Sequence, residues 1–599
     1  MMLLLDLPPE IIYLIATHLP TASALAYLAR SCRRLHQILA SEDWRIFRAF
    51  VKSRFYNIRT PPFWKDVAQA LTSRSRALDR HAVIGRFVLR PSNAEQVGAS
   101  TQATRGDNPT HGYRPAIDSY EVWNGSSWHD RREVLAWGAA HELVLQIRQT
   151  GAQTVHKSLV FNDLEHISSH DDIRGVHLLR PEHRAKSHDQ EHLIFGRMRG
   201  ELVHLAIAPD HQSYEIKQKF QTSGLEIERT DMCDGADPIL AAHLSNGTIV
   251  FYNTTMDGPE IQAFGRIQID AGLSARNKSS KFLSPTRFAV ATGRSEDAIA
   301  ISTISQERIA HEHLISADFL VPGASNGLSK KATVTAIAPL CGQTGESPGN
   351  TFLAAWGDGV MKLHDLRSHR PYERSYVDIA DQNPVYCIHP FGHDRFVVGA
   401  GGDAVVKIFD LRMPALYNYR TARQPSSPQA NGFSSSAASR AIDSSSQPSK
   451  DLSIFLSSDT PASRHHNHPR FTRHRYRGPI YTMSSPSLLS PTIYTGIAGG
   501  IVRLDFASTD DLAGSNNAWY RDAIDLDLSH NKGSYTSETI ELSGYERPDS
   551  RDTTTCSKLR SQTPFTAINE RNIENELATG WDRRWNPLDA PGAWRRRDM

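Results

Sequence analysis

Apolar residues at helical spacing in the first forty-odd positions, and a strand–turn–strand unit recurring through most of the remaining chain, predict an α+β multidomain protein. A small all-α module at the amino terminus is followed by an all-β propeller of seven blades. A third observation separates the two parts: downstream of the helical segment no long amphipathic helix is legible before residue 560.

The 599 residues hold 67 Lys and Arg against 65 Asp and Glu, a net charge of +2. So even a balance removes a global electrostatic case for nucleic acid or an anionic membrane as partner. Apolar residues make up 39 % of the chain, enough for a large core but leaving some segments too polar to join it. Cys32, Cys233, Cys341, Cys387 and Cys556 lie far apart with no CxxC pair, which argues against a disulfide scaffold or a structural zinc site. Asp6, Pro8, Pro9 and Glu10 cut the opening apolar run before it reaches the roughly seven residues of a signal-peptide core. No run approaches the ~18 apolar residues a membrane helix needs. The expected location is cytoplasm, nucleus or both, and no cofactor is expected.

Residues 7–44 justify the helical module. Pro8 and Pro9 suit a helix start, and Glu10 suits the positive end of its dipole. Ile11, Ile12, Ile15 and Leu19 come next at helical spacing until Pro20 stops the run. Ser23 is placed to cap a second helix, whose stripe is Leu25, Leu28 and Cys32, continued by Leu35 and Leu39. About 40 residues make a very small core. Two readings are open: a helical cap packed on the rest of the chain, or a docking module whose apolar face a partner completes.

Leu7-Pro8, Glu10, Ile11, Ile15, Leu19, Leu25, Leu28, the Ser31-Cys32-Arg33-Arg34-Leu35 run and Trp44 together resemble an F-box. That family docks on the Skp adaptor of SCF (cullin–RING) ubiquitin ligases. The resemblance implies that Leu7, Pro8, Ile11, Ile15, Leu19, Leu25 and Leu28 face the adaptor or the shared core. It departs at Thr21-Ala22-Ser23-Ala24, where the family often carries an acidic residue. The module is assigned to residues 1–50. Residues 51–90 read as a helical connector broken at Pro61-Pro62, and 91–116 as a loop.

The propeller, 117–599, rests on a repeat clearest in FLAAWGDGVMKLHDLR (352–367) and FVVGAGGDAVVKIFDLR (396–412). These align Asp358 with Asp403, Lys362 with Lys407, and Asp365-Leu366-Arg367 with Asp410-Leu411-Arg412. Anchoring each copy at its turn gives His141, Gly200, Gly247, Asp297, Gly359, Ala404 and Gly500. The intervals are 59, 47, 50, 62, 45 and 96 residues. Spacing near 40–50 with four-strand units marks a propeller, and seven anchors give seven blades. The DLR endings and DG turns resemble degenerate WD repeats, with His364-Asp365 and Phe409-Asp410 standing where that family has Trp-Asp.

The widest interval holds an insertion at about 415–478. Residues 424–463 contain 14 serines and four prolines, a composition that predicts disorder, with Ser427-Pro428 and Thr460-Pro461 as sites for proline-directed phosphorylation. Residues 464–477 carry five Arg, four His and no acid. That stretch reads as a solvated basic flank, a loop for an acidic partner or RNA using Phe471 and Tyr476, or a loose metal site at His465, His466 and His468. Trp581, Trp585 and Trp594 either seal the last blade or form an interaction tail.

HExxH and GxxxxGK[ST] are absent, and no GxSxG elbow between a strand and a helix is read. The functional expectation is therefore a non-catalytic substrate-recognition subunit of an SCF ubiquitin ligase. Its partners would be a Skp-type adaptor, cullin through that adaptor, and an unidentified target protein. A propeller scaffold whose F-box-like helices bind a partner outside any ligase is the alternative. A propeller enzyme would show itself by ionisable groups clustered at the channel mouth.

Overall fold

The computed structural model describes residues 4–507 apart from interior stretches, the longest being 418–451 and 456–478, together with Trp519 and 539–545. Five helices come first: α1 (Pro9–Thr17), α2 (Ala22–Ser31), α3 (Arg33–Leu39), α4 (Ser41–Arg54) and α5 (Trp64–Arg80). Pro9 opens α1 with Pro8 as its N-cap. The N-cap of α2 is Thr21 rather than Ser23, because the Thr21 hydroxyl accepts from the Ala24 amide at 3.1 Å.

The boundary expected at residue 50 is not a physical one. Ala16, Leu25 and Leu39 share a single buried cluster with Phe47, Phe50 and Val51 of α4, Val67 and Leu71 of α5, and Trp128, Leu489 and Ala507 of the propeller. The reason is size: three short helices cannot bury their own faces, and the next two helices with a propeller face complete the core.

Downstream, seven sheets form seven blades, spanning 117–162, 173–220, 227–268, 280–316, 334–378, 385–455 and, for the last, 482–505. The last blade is completed from the other end of the chain. Val83–Val88 pairs antiparallel with Gly500–Asp505 on one side and with Thr539–Tyr545 on the other. Residues 83–88 are thus a strand and not the end of a helical connector, because ring closure supplies these residues with hydrogen-bonding partners at both edges. The expected 91–116 loop is corrected likewise: Glu95–Gly98 lies parallel to Val155–Asn162 at the outer edge of blade 1. Within the insertion expected to be disordered at 415–478, Leu416–Tyr417 pairs on blade 5 and Leu452–Phe455 on blade 6, and the remaining residues lie outside the described ones.

His141, Gly200, Gly247, Asp297, Gly359 and Gly500 fall at or beside the link between the second and third strands of their blades, and Ala404 lies outside the described residues. At Asp358-Gly359 the glycine has φ 81° and the aspartate side chain accepts the Val360 amide. Asn246-Gly247 does the same, with φ 82° and the Thr248 amide. The DLR repeat has a local cause too. Asp365 accepts the Arg367 amide and its guanidinium, and Asp410 does so for Arg412. The WD-type aromatic position survives as stacking, His364 on Phe352 at 5.1 Å and Phe409 on Phe396 at 5.2 Å.

Among the described residues no helix is long and apolar enough to cross a membrane.

Candidate functional site

The expected docking residues separate into two sets. Ile12 and Ala16 turn inward on α1, which leaves Ile11 at 43 % and Ile15 at 39 % exposure on its outer face. Pro8 is exposed at the entrance to α1, and Leu7 is half-buried. Leu19 and Leu28 are half-buried against the helical core, while Leu25 is fully buried inside it. Leu25 is therefore a core residue that no partner can reach. Leu14, 56 % exposed, lies on the same face of α1 as Ile11 and Ile15 by helical spacing. Sequence reasoning missed Leu14, although its i+3 spacing from Ile11 was a usable signal. Arg54 of α4 supports this ridge from behind, donating to the His18, Leu19 and Pro20 carbonyls beyond the end of α1.

Arg74 and Trp519 add polar and stacking contacts where the helices meet the ring. Arg74 of α5 is buried and donates to the carbonyls of Leu488 at 2.6 Å and Ser490 at 3.1 Å, with its guanidinium 4.9 Å from the Phe391 ring. Burial lowers its pKa to about 10, opposed by Asp394 and Glu121, so it remains a cation at neutral pH. Trp519 stacks on Trp128 at 6.3 Å and donates to Asp66 of α5 at 3.3 Å.

Phe391, Leu488 and Trp128 all lie at links between first and second strands, in blades 6, 7 and 1. Strands alternate in direction, so these links share one face and the six described anchor turns share the other. The helices therefore occupy the first face and leave the anchor-turn face clear of them.

The first strands carry Arg174, Arg229 and Lys281, each close to carboxylates: Asp172 and Glu226 beside Arg174, Asp231 and Glu228 beside Arg229, and Asp231 accepting from Lys281 and from the Phe282 amide. Arg114 lies over the Tyr481 ring at 5.0 Å. Burial lowers the pKa of Arg174 and of Arg229, and the like charge of Arg114 adds to it in both. Burial pushes the Cys387 thiol up to about 12 and the His389 imidazole down to about 4. Cys387 is thus a protonated, unreactive thiol, packed against the buried cluster that blades 5 to 7 share. Among the described residues no three His, Cys, Asp or Glu side chains group as metal ligands. The His-rich stretch 464–477, the Ser-Pro and Thr-Pro sites and the carboxy-terminal tryptophans lie outside the described residues. So does a Gly-Ala-Ser-Asn-Gly sequence at 323–327, which matches GxSxG and which the motif reading overlooked.

Sequence reasoning also missed a buried network at the ring junction. Arg131 pairs with Glu121 and Glu133, Tyr494 of blade 7 donates to Glu133, and Ser487 donates to Glu121. Burial alone would raise the Glu133 pKa, but the Arg131 and Arg503 guanidiniums outweigh it and hold that carboxyl down at about 2.

No known family model matches this chain, and no curated protein does. Among solved structures it is similar to the β-propeller domain of Cps50 (Swd1) from Myceliophteria thermophila. That likeness has 14 % identity and a TM-score of 0.28, and it covers 39 % of this chain and 68 % of the other.

Proposed function

We propose that this chain is the substrate-recognition subunit of an SCF (cullin–RING) ubiquitin ligase, its helical module docking on the Skp-type adaptor and its propeller holding the target. The observation that carries the reading is the outer face of α1. The helical core is already closed by α4, α5 and the propeller, yet Ile11, Leu14 and Ile15 stay in water side by side. Apolar residues grouped in this way mark an interaction surface. Covering each of them completely is worth about 1.5–3 kcal/mol at most, and partial exposure scales that down. The anchor-turn face, free of the helices, is where the target would sit. The chain contributes no chemistry of its own: it raises the effective concentration of a target lysine near the conjugating enzyme.

The test is capture of the purified Skp-type adaptor by the full chain, with and without Ile11→Asp/Ile15→Asp. Loss of capture at an unchanged melting temperature is expected, and full capture by the variant overturns the docking claim. Native complexes that contain the adaptor but never cullin would move the chain to the scaffold role.

A further inference from the structure

Two histidines of blade 2 face one another through their ring nitrogens. His192 stands on the second strand, Glu191–Arg197, and His204 on the third, Leu202–Ala208. Ile194 pairs directly with His204, and His192 lies two residues before Ile194, so both imidazoles project from the same side of the sheet. Ile194 belongs to a buried cluster with Ile227, Leu240 and Tyr252 of blade 3, which makes this the side turned toward that blade. Both imidazoles are half-buried. His192 Nδ1 is 3.0 Å from His204 Nε2, with the ring planes inclined at 53°. A hydrogen-bond chain fixes the protons. Gln218, on the fourth strand, donates its side-chain Nε2 to the Met256 carbonyl of blade 3, which turns its Oε1 toward His204 Nδ1 at 3.3 Å. His204 therefore carries its proton on Nδ1 and presents a bare Nε2 to His192.

We propose that His192 and His204 form a site for a borderline divalent transition-metal ion such as Zn²⁺, with His192 Nδ1 and His204 Nε2 as its two protein ligands. Two imidazole nitrogens on a tetrahedral ion at ordinary bond lengths stand about 3.3 Å apart, so the pair has to open only slightly to admit one. Neutral imidazole suits ions of this class. A metal-bound histidine is held by a hydrogen bond from its other ring N–H, and Gln218 Oε1 is in place to accept that bond from His204. On binding, the ion replaces the hydrogen bond between the rings, and His192 carries its proton on Nε2 instead of Nδ1. Both ligands lie in one blade, but Gln218 passes the constraint to Met256 of the next, so the ion ties blade 2 to blade 3. Two protein ligands leave two positions of the tetrahedron to water. The site is independent of the adaptor-docking reading.

The experiment titrates Zn²⁺ into the chelator-stripped full chain by calorimetry and follows the melting temperature. His465, His466 and His468 are changed to Ala in every sample, so that the His-rich stretch does not compete for the ion. His192→Ala and His204→Ala are each expected to lose one equivalent of bound Zn²⁺, together with the rise in melting temperature that this ion brings. Gln218→Leu keeps both ligands and is expected to bind about ten- to hundredfold more weakly. Circular dichroism of the metal-free variants checks the fold. Should alanine loosen the blade, His192→Gln and His204→Gln remove the imidazole while keeping a hydrogen-bonding side chain, and the same loss of one equivalent is expected. No Zn²⁺ bound by the parent chain, or full stoichiometry in the folded variants at both histidines, overturns the site.

Discussion

Lys407 of blade 6 and Asp378 of blade 5 meet at 3.0 Å, with each side chain only 1 % exposed. Removing either partner strands a buried charge, at a cost of about 3–5 kcal/mol. Asp378→Asn and Lys407→Met should each lower the urea midpoint accordingly, and Asp378→Leu/Lys407→Met should recover most of the loss. Lys362, the repeat counterpart of Lys407, lies instead 4.2 Å above the Tyr372 ring. Lys362→Met should therefore cost less, about 0.5–2 kcal/mol.

His364 gives the ring an acid-sensitive element. Burial lowers its pKa from 6.5 to about 4 while its Nδ1 sits 2.8 Å from the Pro371 carbonyl. The unfolded chain takes up this proton near pH 6.5 and the folded one only near pH 4. Its contribution is therefore complete above about pH 6.5, falls as the pH drops to 4, and changes no further below that. The span is on the order of 3 kcal/mol. His364→Phe should flatten the stability–pH curve in that window, read by denaturant titration at pH 7, 5.5 and 4.

Leu25 and Leu14 should behave oppositely under the same kind of change. Leu25 is wholly enclosed, so Leu25→Ala should cost about 2–5 kcal/mol. Leu14→Asp should move stability by no more than about 0.5 kcal/mol, since its side chain faces water. Thermal unfolding of the two variants distinguishes core from exposed ridge.

Arg74→Leu should loosen the joint between helices and ring. It leaves the Leu488 and Ser490 carbonyls without their donor, worth about 2–4 kcal/mol together. Hydrogen exchange in residues 64–80 and 485–491 should rise together while blades 2–4 are unaffected. Equal exchange in variant and wild type would refute the clamp.

The features legible in the sequence were those that local chemistry decides. Asp358-Gly359 and Asn246-Gly247 form their turns from neighbouring atoms alone, so the six anchors among the described residues found the same link in their blades. Ile11 and Ile15 announce a helix face through their spacing. Glu133 and Tyr494 could not be paired that way, being 361 positions apart and joined only because the ring closes. Val83–Val88 was hidden for a similar reason: six residues beside a helix look like its continuation until both sheet neighbours, from beyond residue 499, are known. The fate of Leu25 was equally invisible, because the helical stripe does not say which of its members meet α4 and α5 and which meet water.

The strand at 83–88 also imposes an order on biosynthesis. As the polypeptide leaves the ribosome, that strand must wait, unpaired, while six blades are made and until residues 500–505 arrive to receive it. The helices before it wait too, since Leu489 and Ala507 belong to their core. A translation product cut short before that point would carry the residues of α1 with neither a closed ring nor a finished helical core behind them.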